Sequence, residues 1–191
     1  MIPARRTSLS IPFRDVATSV APGSVAFLKF QQEAAGGLQG AVFVMNGVGE
    51  PLEFTFARVD VRVSVLWRPG DAHRSAVAQL ARVLFPALSS RPECLLMLAS
   101  EVPPRIFLDD ILLELPACRV GGEASVHAAD EVLERINDLQ HLFWIGPQPE
   151  PNDRARALID SLRARDIITE PFERATVGLG EAYGGSDHVV A

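Results

Sequence analysis

Asp71, Glu101 and the adjacent pair Asp109-Asp110 are the side chains in this sequence best suited to hold a divalent cation. Carboxylate oxygens suit Mg2+ or Mn2+, and two such ions, about 4 Å apart, need a dense anionic cage around them. Successive strand residues point to opposite faces, so Asp109 and Asp110 reach one ion only from a turn, and the same pair also suits a plain solvated turn. The softer ligands are dispersed. His73, His127, His141 and His188 form no H-E-x-x-H or H-x-H pair, and Cys94 and Cys118 form no C-x-x-C, so local spacing gives no zinc site. Both cysteines have apolar neighbours and read as small buried hydrophobes, in keeping with a reducing compartment. His141, beside Leu142-Phe143-Trp144, reads as a half-buried structural histidine, whereas His73 and His127 fall in the first turns of predicted helices.

Other reaction centres are missing from the sequence. It contains no Walker-type phosphate loop, no G-x-G-x-x-G and no G-x-S-x-G. The Gly47-Val48-Gly49 cluster lies between two strand-like segments. A phosphate cradle needs the N–H groups of a helix N-terminus, so this cluster is hairpin chemistry.

The elements that would have to position these groups follow from periodicity. After an extended lead-in over residues 1–23, segments 25–32 and 41–48 read as strands. Residues 52–66 alternate, with apolar parity running Leu52, Phe54, Phe56 and then Val59, Val61, Val63, Val65. That change of phase predicts a bulge or a break near Ala57-Arg58. Three strands with short connections make an antiparallel meander. Asp71 is the predicted N-cap of a helix over 71–85 whose buried face is Val77, Leu80, Ala81, Leu84 and Leu88, and Pro86 ends its regular part. Residues 94–99 are apolar on both faces, as in a central strand covered on two sides. Short strands over 105–108 and 111–115 flank Asp109-Asp110. A helix over 125–141 is predicted to bury Ala129, Val132, Leu133, Ile136 and Leu139. A proline-rich linker, 146–151, separates the core (24–145) from a C-terminal helical pair (152–183) and a frayed tail (184–191). Asn152 or Asp153 caps the first of these helices, and Thr169 caps the second.

Strand, strand, strand, helix, strand is the order that opens ribonuclease H-like domains, and the fold class predicted is therefore α/β or α+β. Domains of that type hold two metals with carboxylates from the first strand, the first helix, the fourth strand and a late helix. Here the first strand carries no acid, with only Glu33 after it, and the first helix has only Asp71 at its cap. Glu101 follows the fourth strand, and Asp130, Glu131 or Glu134 would lie on the later helix. The ligand that bridges both metals is therefore missing, which leaves a degenerate carboxylate site (Asp71, Glu101, Asp109, Asp110, with Mg or Mn) as the alternative reading.

Composition supports the leading reading. The chain is 48% apolar and 22% charged with a net charge of −6, which fits a globular protein and argues against a dedicated nucleic-acid binder. Of its 18 basic residues only Lys29 is lysine, as a GC-rich bacterial genome would produce. Arg58, Arg62 and Arg68 with Trp67 are the nearest thing to a base-stacking surface, while the arginines of segment 154–165 alternate with acids and suit a solvated face. The longest apolar runs are too short to span a bilayer, and the N-terminus lacks the continuous apolar stretch of a secretory signal, so a cytoplasmic location is expected. Bulky residues at element ends, Trp67, Arg68, Phe143 and Trp144, are candidate interface residues. The expectation is a non-catalytic adaptor or structural subunit of a bacterial cytosolic assembly, with a protein partner or a second copy of itself. The metal-dependent hydrolase or nuclease is the competing class.

Overall fold

The computed structural model describes residues 13–14, 23–33, 36–61, 68, 70–104 and 115–184. The strands are β1 (Phe13–Arg14), β2 (Ser24–Gln32), β3 (Gly37–Asn46), β4 (Pro51–Asp60), β5 (Cys94–Leu98), β6 (Ala117–Gly121), β7 (Val132–Arg135) and β8 (His141–Ile145). They form one sheet in the order β1-β4-β3-β2-β5-β6-β8-β7. β2, β3 and β4 are the antiparallel meander, while β5 lies parallel to β2 and β6 parallel to β5. The helices are α1 (Asp71–Leu84), α2 (Arg154–Ala164) and α3 (Glu170–Gly184), and a 3-10 turn over Phe85–Ala87 follows α1 at Pro86. The protein is thus a mixed α/β structure in which a meander continues into a central strand and a C-terminal helical pair packs on the sheet. Among the described residues, no helix is long and apolar enough to cross a membrane.

Alternation along β2 feeds two separate cores. Ala26, Leu28 and Phe30 pack under Val77, Leu80, Ala81 and Leu84 of α1. Val25 and Phe27 face the other way, toward Leu158, Ile159 and Leu162 of α2 and Phe172 and Ala175 of α3. A strand covered on both faces reads as a continuous apolar run, which is why β2, β3 and β5 lack a polar face. Full burial of a side chain such as Leu80 or Leu162 is worth about 1.5–3 kcal/mol. The β3–β4 hairpin turns through Gly49 at φ 94°, a left-handed conformation that glycine adopts without a steric cost. Gly178 serves closeness instead: a Cβ there would sit 2.7 Å from the ring of Phe54, so glycine lets α3 lie against β4.

Four expectations are corrected. Residues 125–141 form no helix: β7 and β8 occupy Val132–Arg135 and His141–Ile145, and Ala129, Val132, Leu133 and Leu139 are exposed. Only Ile136 of the predicted face is buried. Their helix-like spacing arises because Val132 and Leu133 line an open sheet edge and Leu139 tips a turn, so none reports a core. The irregularity in β4 lies opposite Val44 and Met45, where the pairing steps from Glu53 to Pro51, and not at Ala57-Arg58. The apparent change of phase comes from β4 being covered on both faces, with Phe54 toward α3 and Ala57 and Val59 toward α1. Third, the N-cap of α1 is Gly70, and Asp71 is its first helical residue. Finally, β6 runs through a segment with no predicted strand. The expected strands at 105–108 and 111–115 and the continuation of β4 beyond Val61 fall largely outside the described residues.

Candidate functional site

In open sheets with parallel strands, ligands bind outside the carboxyl ends of the strands, where the strand order switches. Here that point lies past the ends of β2 and β5, and the residues there are Lys29 on β2 and Glu101 in the turn after β5. The turn forms because the N–H groups of Glu101 and Val102 both bond back to the Leu98 carbonyl. It aims the Glu101 carboxylate at β2, where one oxygen pairs with the Lys29 ammonium and the other accepts the Phe30 N–H at 2.9 Å. The lone lysine of the chain thus neutralises the lone acid of this turn.

The same turn is held from its other side by Arg119 on β6. This guanidinium is fully buried and donates to the Val102 carbonyl (3.1 Å), the Val126 carbonyl (3.0 Å) and both oxygens of Glu131 (2.8 and 2.6 Å). It also lies 5.5 Å from the centre of the Phe143 ring, and His127 stacks on that ring. Glu131 additionally accepts the Ala128 N–H, so the cluster organises the whole 122–131 connection. His127 accordingly lies in this connection and not in a helix.

A third charged cluster joins the sheet to α2. Glu134 accepts hydrogen bonds from Trp144 Nε1, Gln148 Nε2 and Arg156 Nη1 at 2.7–2.8 Å, and Arg156 Nη2 reaches its second oxygen at 2.8 Å. Burial pushes this carboxyl up, but the bonds from Arg156 and Trp144 outweigh it and hold Glu134 below its ordinary pKa. Arg156 therefore anchors α2 to the sheet and is not part of a purely solvated face.

Of the residues expected to hold a metal, Asp71 and Glu101 each pair with a basic side chain. Asp71 accepts the Arg68 N–H at 2.9 Å and pairs with Arg74, and these contacts lower its pKa while fastening the start of α1. Glu101 is committed to Lys29. Asp109 and Asp110 lie outside the described residues. Among the described residues, no three of His, Cys, Asp or Glu converge on a point that could hold an ion. Of the interface candidates, Phe143 and Trp144 are interior residues, because β8 is sandwiched between β6 and β7 and both of its faces are covered. Arg68 is exposed, and Trp67 lies outside the described residues. Cys94 and Cys118 are buried, and burial pushes the Cys94 thiol up to about 12 and Cys118 well above its ordinary value. Both are therefore protonated and unreactive.

The arrangement of elements has a counterpart among solved structures. The fold is similar to that of an endonuclease V. The crystal structure of the Bacillus subtilis protein superposes with a TM-score of 0.50 at 10% identity, covering 87% of this chain and 84% of that one. A Marinitoga piezophila Argonaute, solved with guide RNA and target DNA, matches at a TM-score of 0.33 and 8% identity, covering 78% of this chain and 27% of that one. No family model and no curated protein matches the sequence. The structural likeness is one of fold, and function has to be argued from the side chains.

Sequence reasoning missed the Arg119–Glu131 and Glu134–Arg156 clusters. One weak signal was available for the first: Arg119 interrupts an otherwise apolar run from Ala117 to Val120.

Proposed function

We propose that this chain is a non-catalytic module built on a nuclease-like fold, an adaptor or structural subunit of a bacterial cytosolic assembly that works through protein contacts. One observation carries the reading. Past β2 and β5, where a metal cage would form, a lysine ammonium pairs with the Glu101 carboxylate. A divalent cation needs several anionic oxygens, and a fixed positive charge at bonding distance from Glu101 both occupies that ligand and repels the ion. Among the described residues, those present do not fit a two-metal centre.

Likeness of fold to an endonuclease keeps the metal-dependent hydrolase as the second reading, with Glu101, Asp71, Asp109 and Asp110 as its carboxylates. Thermal melting with and without Mn2+ or Mg2+ separates the two. A protein that binds an ion only when folded melts higher in its presence. The non-catalytic reading expects no change in melting temperature. A rise of several degrees that Glu101→Ala abolishes, together with cleavage of a nucleic acid, overturns it.

A further inference from the structure

We infer that Asn46 is a self-modification site gated by the fold: its amide is inert while α2 is docked, and opening of the β3–β4 hairpin lets it cyclise onto Gly47 and end as isoaspartate. Asn46-Gly47 is the only Asn-Gly step in the chain, since Asn137 and Asn152 both precede aspartate. Glycine has no side chain to shield its backbone nitrogen, so an unstructured Asn-Gly step is the one most prone to this reaction. The Gly47 nitrogen loses its proton to solvent and attacks Asn46 Cγ. The Cγ–Nδ2 bond breaks, and the nitrogen takes up a proton and leaves as ammonia. Water then opens the succinimide at either carbonyl, giving aspartate or isoaspartate.

The closed hairpin opposes the first step. Asn46 is 2% exposed. Its Oδ1 accepts the N–H groups of Val48 (3.1 Å) and Glu50 (2.9 Å), and its Nδ2 donates to Glu50 Oε2 at 2.7 Å. Expelling Nδ2 breaks the last of these bonds, and moving Cγ onto the Gly47 nitrogen strains the other two. α2 holds the hairpin shut. Ser161 Oγ donates to the Gly47 carbonyl at 2.6 Å, and Leu158 lies so near that a Cβ on Gly47 would sit 3.0 Å from its Cδ2. The product does not fit back into this site. An aspartate would set an oxygen against the Glu50 oxygen in place of the Nδ2 donor. Isoaspartate lengthens the main chain by one methylene at the residue whose N–H bonds the Glu50 carbonyl and whose carbonyl accepts the Gly49 N–H. Modification is therefore one-way, and its extent records how often α2 has lifted from the hairpin.

Peptide mass mapping during incubation at neutral pH tests this, with an isoaspartyl methyl-transfer assay to identify the product. Deamidation at Asn46 is expected to be at least about tenfold slower in native protein than in the same chain in guanidinium chloride, because only the open fraction reacts. Ser161→Ala, which removes the bond from α2, should speed the reaction in native protein and leave the rate in denaturant unchanged. Chain modified at Asn46 in denaturant and then refolded should melt several degrees below the unmodified protein. Equal rates in native and denatured protein, a native rate that Ser161→Ala leaves unchanged, or modified chain that melts with the unmodified protein overturns the proposal.

Discussion

Arg119–Glu131 and Lys29–Glu101 are two ion pairs that hold one turn from opposite sides, and they differ in what surrounds them. The arginine is fully buried, its donors divided between two carbonyls and a carboxylate that is itself 5% exposed. The lysine and its glutamate lie at the rim of the sheet, with side chains 14% and 18% exposed. A buried pair is costly to break, because either partner left alone is a charge without water, whereas a rim pair is screened and can be replaced by solvent. Arg119 is thus an architectural residue. Lys29 contributes less to stability, and its effect is on what the strand ends can bind.

Removing Arg119 should produce the largest effect. Arg119→Met leaves the buried Glu131 carboxylate without its counter-charge and the Val102 and Val126 carbonyls without its donors, and is expected to cost about 3–5 kcal/mol in chemical denaturation. If the loss is below 1 kcal/mol, roughly a surface pair's worth, the contrast between the two pairs fails. The Glu134 hub should come next. Glu134→Ala strands Trp144 Nε1 and leaves Arg156 with Asp160 alone, costing about 1–3 kcal/mol. Because folding lowers the Glu134 pKa, its contribution is present above the unfolded value near 4.5 and is lost as pH falls through the folded one. Acid denaturation of the wild type should therefore be steeper below pH 4.5 than that of Glu134→Ala.

Lys29→Met should shift stability by less than about 1 kcal/mol. It sharpens the comparison in a second way: with the ammonium gone, Glu101 is uncompensated, and Mn2+ should raise the melting temperature of this variant more than that of the wild type. The smallest perturbation concerns the thiols. Native protein should react with a thiol reagent at Cys94 and Cys118 only as fast as it unfolds, and prompt labelling of either would contradict their burial.

The meander, β5 and α1 were legible because their apolar residues report burial directly. Val77, Leu80, Ala81 and Leu84 repeat at helical spacing and all are interior. The same logic failed over residues 125–141, where hydrophobicity came from an exposed edge and a turn tip. β6 was illegible for the opposite reason, since an arginine at its centre hides a strand whose neighbours are all buried. Likewise, the sequence contained the lone lysine and Glu101 but not their meeting, which depends on parallel pairing of β2 with β5 across a separation of 72 residues. Phe143 and Trp144 were misplaced because a strand's aromatics look the same in sequence whether its neighbours in the sheet cover them or leave them bare.

The position of α3 constrains how the chain is made. Phe172 lies edge-on against Phe27 at 5.3 Å between ring centres, so one of the last helices closes over the first long strand. During synthesis the Phe27 and Phe43 face emerges early and stays uncovered until Phe172, far later in the chain, has left the ribosome. Nascent chains stalled before residue 170 should therefore recruit a holdase, and release it once Phe172 is exposed to its cleft.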